Sequence, residues 1–148
     1  MGLHQAGFEV TGVDINPQPN YPFKFIQGNA LDFPVDGFDF IWASPPCQAH
    51  TTLKGSAWDK KAYAKKHLDL IPETRKKLES SGINYTIENV PCAPLRNAIM
   101  LCGSMFQLGT ENFQLRRHRI FEASFYVGMP NCYQGCRHSK LPTIGIFG

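Results

Sequence analysis

Three short apolar runs, Phe8 to Ile15, Phe38 to Ala43 and Tyr85 to Val90, read as strands, and each carries a reactive side chain at or just beyond its end: Asp14, Cys47 and Glu88. Helical stretches fall between them. Met1 to Ala6 reads as the last turns of a helix stopped by Gly7, and a basic amphipathic stretch runs from about Asp59 to Ser80, with Tyr63, Leu70, Ile71 and Leu78 near helical spacing. Pro72 starts a new helix there or kinks this one, and Ser81-Gly82 ends it. Phe23 to Gln27 and Arg117 to Ala123 read as further strands, and Pro91 to Asn112 as mostly loop. Strands alternating with helices predict an α/β fold, a mainly parallel sheet with helices on both faces, and 148 residues suit one domain. Ligands of such sheets bind beyond the carboxyl ends of the strands, so Asp14, Cys47 and Glu88 are expected on one rim.

Charge is uneven along the chain. From Phe113 onward Arg116, Arg117, Arg119, Arg137 and Lys140 face a single acid, Glu122, so this end carries +4 of a net +3 and the rest −1. A local basic patch suits a polyanion, although such clusters are commonly plain solvated surface. The N-terminus shows no basic-then-apolar signal sequence and no apolar run approaches a membrane span, which predicts a cytoplasmic protein without a membrane partner. Five cysteines, an odd number, argue against a disulfide framework and direct attention to a reactive thiol or a metal site.

Taken singly, each candidate has a bland alternative. Asp14 at a strand end suits ribose hydroxyls or simply caps a loop. Cys47 follows Ser44-Pro45-Pro46, whose stiff backbone should present its thiol at the sheet edge; otherwise it is a small packed hydrophobe. Glu88 beside a thiol would make an acid–nucleophile pair, or it ends a surface strand. Arg117 and Arg119, two apart, share a face if the segment is extended and can clamp a phosphate or base edge, or form an exposed basic strand.

In order, Gly2-Leu3 through Ala6-Gly7-Phe8 to Val13-Asp14-Ile15, then Ser44-Pro45-Pro46-Cys47-Gln48, Glu88-Asn89-Val90 and Arg117-His118-Arg119, resemble the DNA cytosine-5 methyltransferases, particularly compact phage or prophage members. The Pro-Pro-Cys-Gln and Glu-Asn-Val elements carry most of the resemblance, which spans roughly Met1 to Phe121. It implies a Rossmann-like sheet, S-adenosyl-L-methionine as methyl donor, and DNA as partner, with the target cytosine flipped out of the duplex. Cys47 would be the nucleophile, Glu88 would hold and protonate the base, and Arg119 with Arg117 would orient it. The resemblance places Asp14 and Ile15 at the donor's ribose, Asn29 and Ala30 at its adenine, and Pro45 beside it. Gln48 and the Thr51 to Ser56 loop would close over the flipped base.

The chain also departs from that pattern. The family's first strand and Phe-x-Gly-x-Gly loop do not precede the opening helix, so the sheet is expected to lack its first strand and the 148-residue chain to bind the donor poorly. Asn29 stands where the family has Asp, and Leu115 where it has Gln, with Gln114 one position early. A separate target-recognition domain is not evident, and Ile144 to Gly148 reads as a strand cut short. Three alternatives stay open: the same chemistry on RNA, a catalytically silent nucleic-acid-binding fragment, and a small zinc module. The last would use Cys132, Cys136 and His138, with Cys92 or Cys102 as a remote fourth ligand. Otherwise Cys92 and Cys102 read as packed thiols and His118 as a surface residue.

Overall fold

A computed structural model describes residues 2–50, 67–132 and 142–144. Contacts divide the chain into two compact units, Met1–Gly37 and Phe38–Gly148.

In the first unit, helix α1 (Gly2–Gln5) precedes two parallel strands, β1 (Thr11–Asp14) and β2 (Lys24–Gln27), paired Val13 to Ile26 and Asp14 to Gln27. Tyr21 stacks edge-on against Phe23 and tilted against Phe25, and its ring passes so close to Gly12 that a Cβ there would meet it at 2.6 Å. Only glycine admits that approach. The stretch expected as a buried strand from Phe8 to Ile15 is thus four residues of strand, all half-buried.

The second unit is built on a four-stranded sheet in the order β3 (Phe40–Ala43), β4 (Asn84–Asn89), β8 (His118–Ala123), β5 (Ile99–Cys102). β3 and β4 are parallel, but β4–β8 and β8–β5 are antiparallel. The expected mainly parallel sheet with helices on both faces is therefore corrected to a mixed one. The cause is the return of the chain: helix α2 (Ile71–Ser81) lies in the connection from β3 to β4, whereas β5 and β8 come back against their neighbours in the antiparallel sense. Among the described residues α2 is the only helix of more than two turns, and none is long and apolar enough to cross a membrane. A small three-stranded sheet joins β6 (Gly109–Thr110), β7 (Phe113–Leu115) and β9 (Thr143–Ile144), the last sharing only Ile144 with the expected C-terminal strand, whose remainder lies outside the described residues.

Side chains of successive strand residues face opposite sides of the sheet. One side carries Ile41, Ala43, Tyr85, Ile87 and Ile120, packed with Ile71 and Leu78 of α2 and with Ala93. Ile71 and Ile87 are fully buried, worth roughly 1.5–3 kcal/mol each. Pro72 sits in the first turn of α2, where its missing N–H is harmless, and Gly82 in left-handed conformation (φ 68°) stops the helix. Arg75 of α2 reaches the same side of β8 and holds Glu122 in a buried, two-pronged ion pair at 2.7 and 2.8 Å. The other side of the sheet carries Trp42, Glu88, Arg119 and Phe121, with Trp42 tilted on Phe121 at 5.7 Å between centroids.

Candidate active site at the Cys47 cleft

Because β3 and β4 are parallel and in register from Phe40–Asn84 to Ala43–Ile87, their carboxyl ends open at the same edge. β3 leads there into Ser44-Pro45-Pro46-Cys47, and β4 ends on Glu88 and Asn89. Asn89 joins the two. Its side chain is 2% exposed, its Nδ2 donates to the Pro45 carbonyl at 2.9 Å, and its Oδ1 accepts the Val90 amide at 2.8 Å. The Pro-Pro backbone, with both φ angles fixed, is thereby tied to a central strand.

Beyond Cys47 the chain turns, the His50 amide donating to the Cys47 carbonyl at 2.9 Å. The His50 Nε2 then lies 2.9 Å from Asp69 Oδ1, which also accepts the Ile71 amide at the start of α2 at 3.0 Å. Burial alone would raise the Asp69 pKa, but the close His50 imidazole and the Ile71 amide hydrogen bond outweigh it and hold this carboxyl below its ordinary value. The Cys47 loop is anchored at both ends.

A cleft of about 280 Å³ is lined by Pro45, Cys47, Gln48, Glu88, Asn89 and Arg119, among others. Among these lining residues Cys47 is half-buried, Arg119 Nε meets Glu88 Oε1 at 2.8 Å, and an Arg119 terminal nitrogen donates to the His118 carbonyl at 2.9 Å. The cleft volume lies just below the usual range of ligand pockets, roughly 300–1,000 Å³, which suits a single polar ring. A thiol, a carboxylate and a guanidinium lining one cleft can add a nucleophile to a ring while hydrogen-bonding its polar edge.

Of the residues expected at the site, the cleft brings together Cys47, Glu88, Arg119, Pro45 and Gln48. Arg117 is not among its lining residues: strand pairing begins at His118, so the two-residue alternation that would put Arg117 beside Arg119 does not extend to it. Asp14, Ile15, Asn29 and Ala30 belong to the Met1–Gly37 unit. There Asp14 Oδ1 accepts the Asn16 amide at 2.8 Å, and Asn29 spans its own turn, accepting the Leu31 amide at 3.1 Å and donating to Asp32 at 2.7 Å. The Thr51 to Ser56 loop, Cys136 and His138 lie outside the described residues. His118, expected at the surface, is half-buried with its Nε2 3.5 Å from Cys132 Sγ, and Cys102 is nearby.

Sequence reasoning did not assign Asn89, His50 and Asp69 their anchoring roles. The available signals were slight: an Asn directly after the strand-terminal Glu, and an Asp two residues before a helix start marked by Pro72. Comparison of the chain with protein-family models, with curated proteins and with solved structures found no match.

Proposed function

We propose that this chain is a Rossmann-like DNA cytosine-5 methyltransferase domain that uses Cys47 as nucleophile and S-adenosyl-L-methionine as methyl donor. The observation that carries this proposal is the cleft lined together by Cys47, Glu88 and Arg119, the last two in contact at 2.8 Å. Carbon 5 of cytosine is too weak a nucleophile to take a methyl group directly. The Cys47 thiolate first adds to carbon 6, and the ring electrons move toward the N3 edge, where Glu88 supplies a proton. Arg119 holds Glu88 and the base's polar edge in place. When bound, the donor supplies an electrophilic methyl group, and carbon 5 takes it. Loss of the carbon-5 proton to a base then re-forms the C5–C6 double bond and expels Cys47 as thiolate, and the N3 proton returns to Glu88.

The donor-binding residues fit in part. Asp14, at the end of β1, has one carboxylate oxygen engaged by Asn16, and a carboxylate offers about four acceptor sites, which leaves capacity for ribose hydroxyls. Asn29 is committed to its turn through Leu31 and Asp32, so its side chain serves that turn rather than an adenine. Within a duplex carbon 6 is shielded by stacking, so the base must be flipped out, at roughly a few kcal/mol.

The test is covalent trapping on two duplexes. One carries 2-pyrimidinone at candidate positions, an electrophilic ring that accepts the thiolate without any donor. The other carries 5-fluorocytosine with S-adenosyl-L-methionine, where fluorine cannot leave as a proton and the methylated adduct persists. Denaturation-resistant complexes with both, absent in Cys47→Ala, are expected, the second only at high donor concentration because this chain is expected to bind the donor poorly. Adduct on the first alone would sink donor-dependent transfer, and adduct on neither would sink the nucleophile. Matched RNA duplexes decide between nucleic acids, and stronger trapping on RNA would replace DNA as the substrate.

A further inference from the structure

A second group of soft donors lies on the opposite side of the sheet from the Glu88–Arg119 contact. Cys102 ends β5 and His118 begins β8, and the two are direct partners in the antiparallel pair, so their side chains emerge on the same face. Cys132 arrives from further along the chain. Its amide donates to the Met100 carbonyl at 2.7 Å, and the Met100 amide donates in return to Asn131 Oδ1, which docks this segment along β5. The three donor atoms, two thiol sulfurs and one imidazole nitrogen, lie within 4.8 Å of one another.

From this geometry we infer that Cys102, His118 and Cys132 form a zinc site with a structural role, independent of the proposed methyl transfer. Zinc bonds of ~2.3 Å to sulfur and ~2.0–2.1 Å to nitrogen, at the tetrahedral angle, separate sulfur from nitrogen by about 3.6 Å and sulfur from sulfur by about 3.8 Å. The Cys132 Sγ to His118 Nε2 distance is already 3.5 Å. The widest pair, at most 4.8 Å apart, needs to close by no more than about 1 Å, a side-chain adjustment. Thiolate and imidazole donors select zinc over magnesium or calcium. The Ser104 hydroxyl, itself buried, lies 3.1 Å from Cys102 Sγ and can donate to a thiolate, the kind of supporting bond that metal ligands require. Cys102 and Cys132 are 1% and 3% exposed, so the bonds to the metal form where water competes little.

The consequence for the molecule is a clamp. The metal would bind the end of β5, the start of β8 and the docked 131–132 segment together. The carbonyl of His118 receives the hydrogen bond of Arg119, so fixing His118 also fixes the backbone from which Arg119 reaches the cleft.

The first experiment measures zinc in the full chain purified without chelator, by plasma mass spectrometry, before and after zinc loading and gel filtration. About one zinc per chain is expected, with at least a tenfold loss in Cys132→Ala and His118→Ala and no change in Cys92→Ala, whose thiol is exposed. Cobalt substitution of the wild-type chain should add sulfur-to-metal charge-transfer bands in the near ultraviolet. That readout does not depend on the variants folding. A chelator should lower the thermal midpoint of the wild-type chain and leave Cys132→Ala unmoved. Less than about a tenth of an equivalent in the loaded wild-type protein, zinc retained by folded Cys132→Ala, or a Cys102–Cys132 disulfide in the unreduced protein would each overturn the site.

Discussion

Two guanidinium–carboxylate pairs involve β8, one on each side of the sheet, and they differ in nearly everything except their chemistry. Glu122 faces α2 and accepts from Arg75 at 2.7 and 2.8 Å and from the Arg96 amide at 2.7 Å, while Arg75 also donates to the Pro94 carbonyl. The side chains of that pair are 8% and 6% exposed, whereas those of Arg119 and Glu88 in the cleft are 26% and 21% exposed. Burial would push the Glu122 pKa up, but the Arg75 hydrogen bonds and the Arg96 amide outweigh it and hold it below the ordinary value. The Arg75 pKa is raised, first by its hydrogen bonds to Glu122. A pair so enclosed can only hold the fold. A pair that still meets water can exchange part of its hydration for a ligand's polar edge, and its geometry is then available to chemistry.

The largest effect should come from breaking the enclosed pair. Arg75→Met leaves Glu122 charged and buried without its partner, which costs about 3–5 kcal/mol, measurable by denaturant unfolding at neutral pH. A loss below about 1 kcal/mol would remove the distinction between the two pairs. The same pair sets an acid limit. Because the folded-state pKa of Glu122 lies below its unfolded value of 4.5, its contribution is complete above about pH 4.5 and disappears as pH falls through the lower folded value. Asp69 acts in the same direction, so Glu122→Gln should reduce, not abolish, the acid-induced loss of unfolding free energy. An unchanged acid profile in Glu122→Gln would remove Glu122 from this account.

Asn89 stands between the two regimes, since it is buried like Arg75 but its purpose is to position the cleft. Asn89→Ala deprives the Pro45 carbonyl and the Val90 amide of their partner, a loss of about 1–3 kcal/mol. The same variant should slow pyrimidinone trapping by roughly tenfold or more, because small displacements of a nucleophile are heavily penalised. Normal trapping in a destabilised Asn89→Ala would show that the prolines alone hold the Cys47 loop.

The parts of this structure that could be read in the sequence are those governed by neighbouring residues. Pro72 and Ser81-Gly82 mark the ends of α2, and the apolar runs before Ser44 and around Glu88 become β3 and β4. What was missed depends on pairing over long distances. Ile99–Cys102 is a four-residue run inside a segment read as loop, and it becomes β5 only because β8 pairs with it. Arg75 and Glu122 are 47 residues apart, with nothing local to announce the contact. The zinc ligands were sought by short spacing around Cys132, whereas Cys102 and His118 meet it through the β5–β8 register. In the sequence Cys102 already stands as a candidate remote ligand beside Cys132, and recognising β5 would have placed it opposite His118, which reads there as a surface residue.

The smallest effect on stability is expected where the effect on chemistry is greatest. Arg119→Met removes a partly exposed ion pair, and such pairs contribute about 0–1 kcal/mol, so the unfolding free energy should change by no more than that. The methionine fills a similar volume on the same face of β8, leaving Phe121 and the β4 pairing undisturbed. Trapping should nevertheless fall by roughly a hundredfold, since Glu88 would lose the group that orients it and the base would lose a charged donor as negative charge develops in the ring. Arg119→Lys separates charge from shape: it keeps the charge but not the forked donors, and only partial recovery is expected. Full trapping by Arg119→Met would make the contact with Glu88 a surface ion pair, no different in function from the exposed Arg96–Glu79 contact at 3.1 Å. A stability loss above about 2 kcal/mol would instead mean that the cleft pair, like Arg75–Glu122, belongs to the structural core.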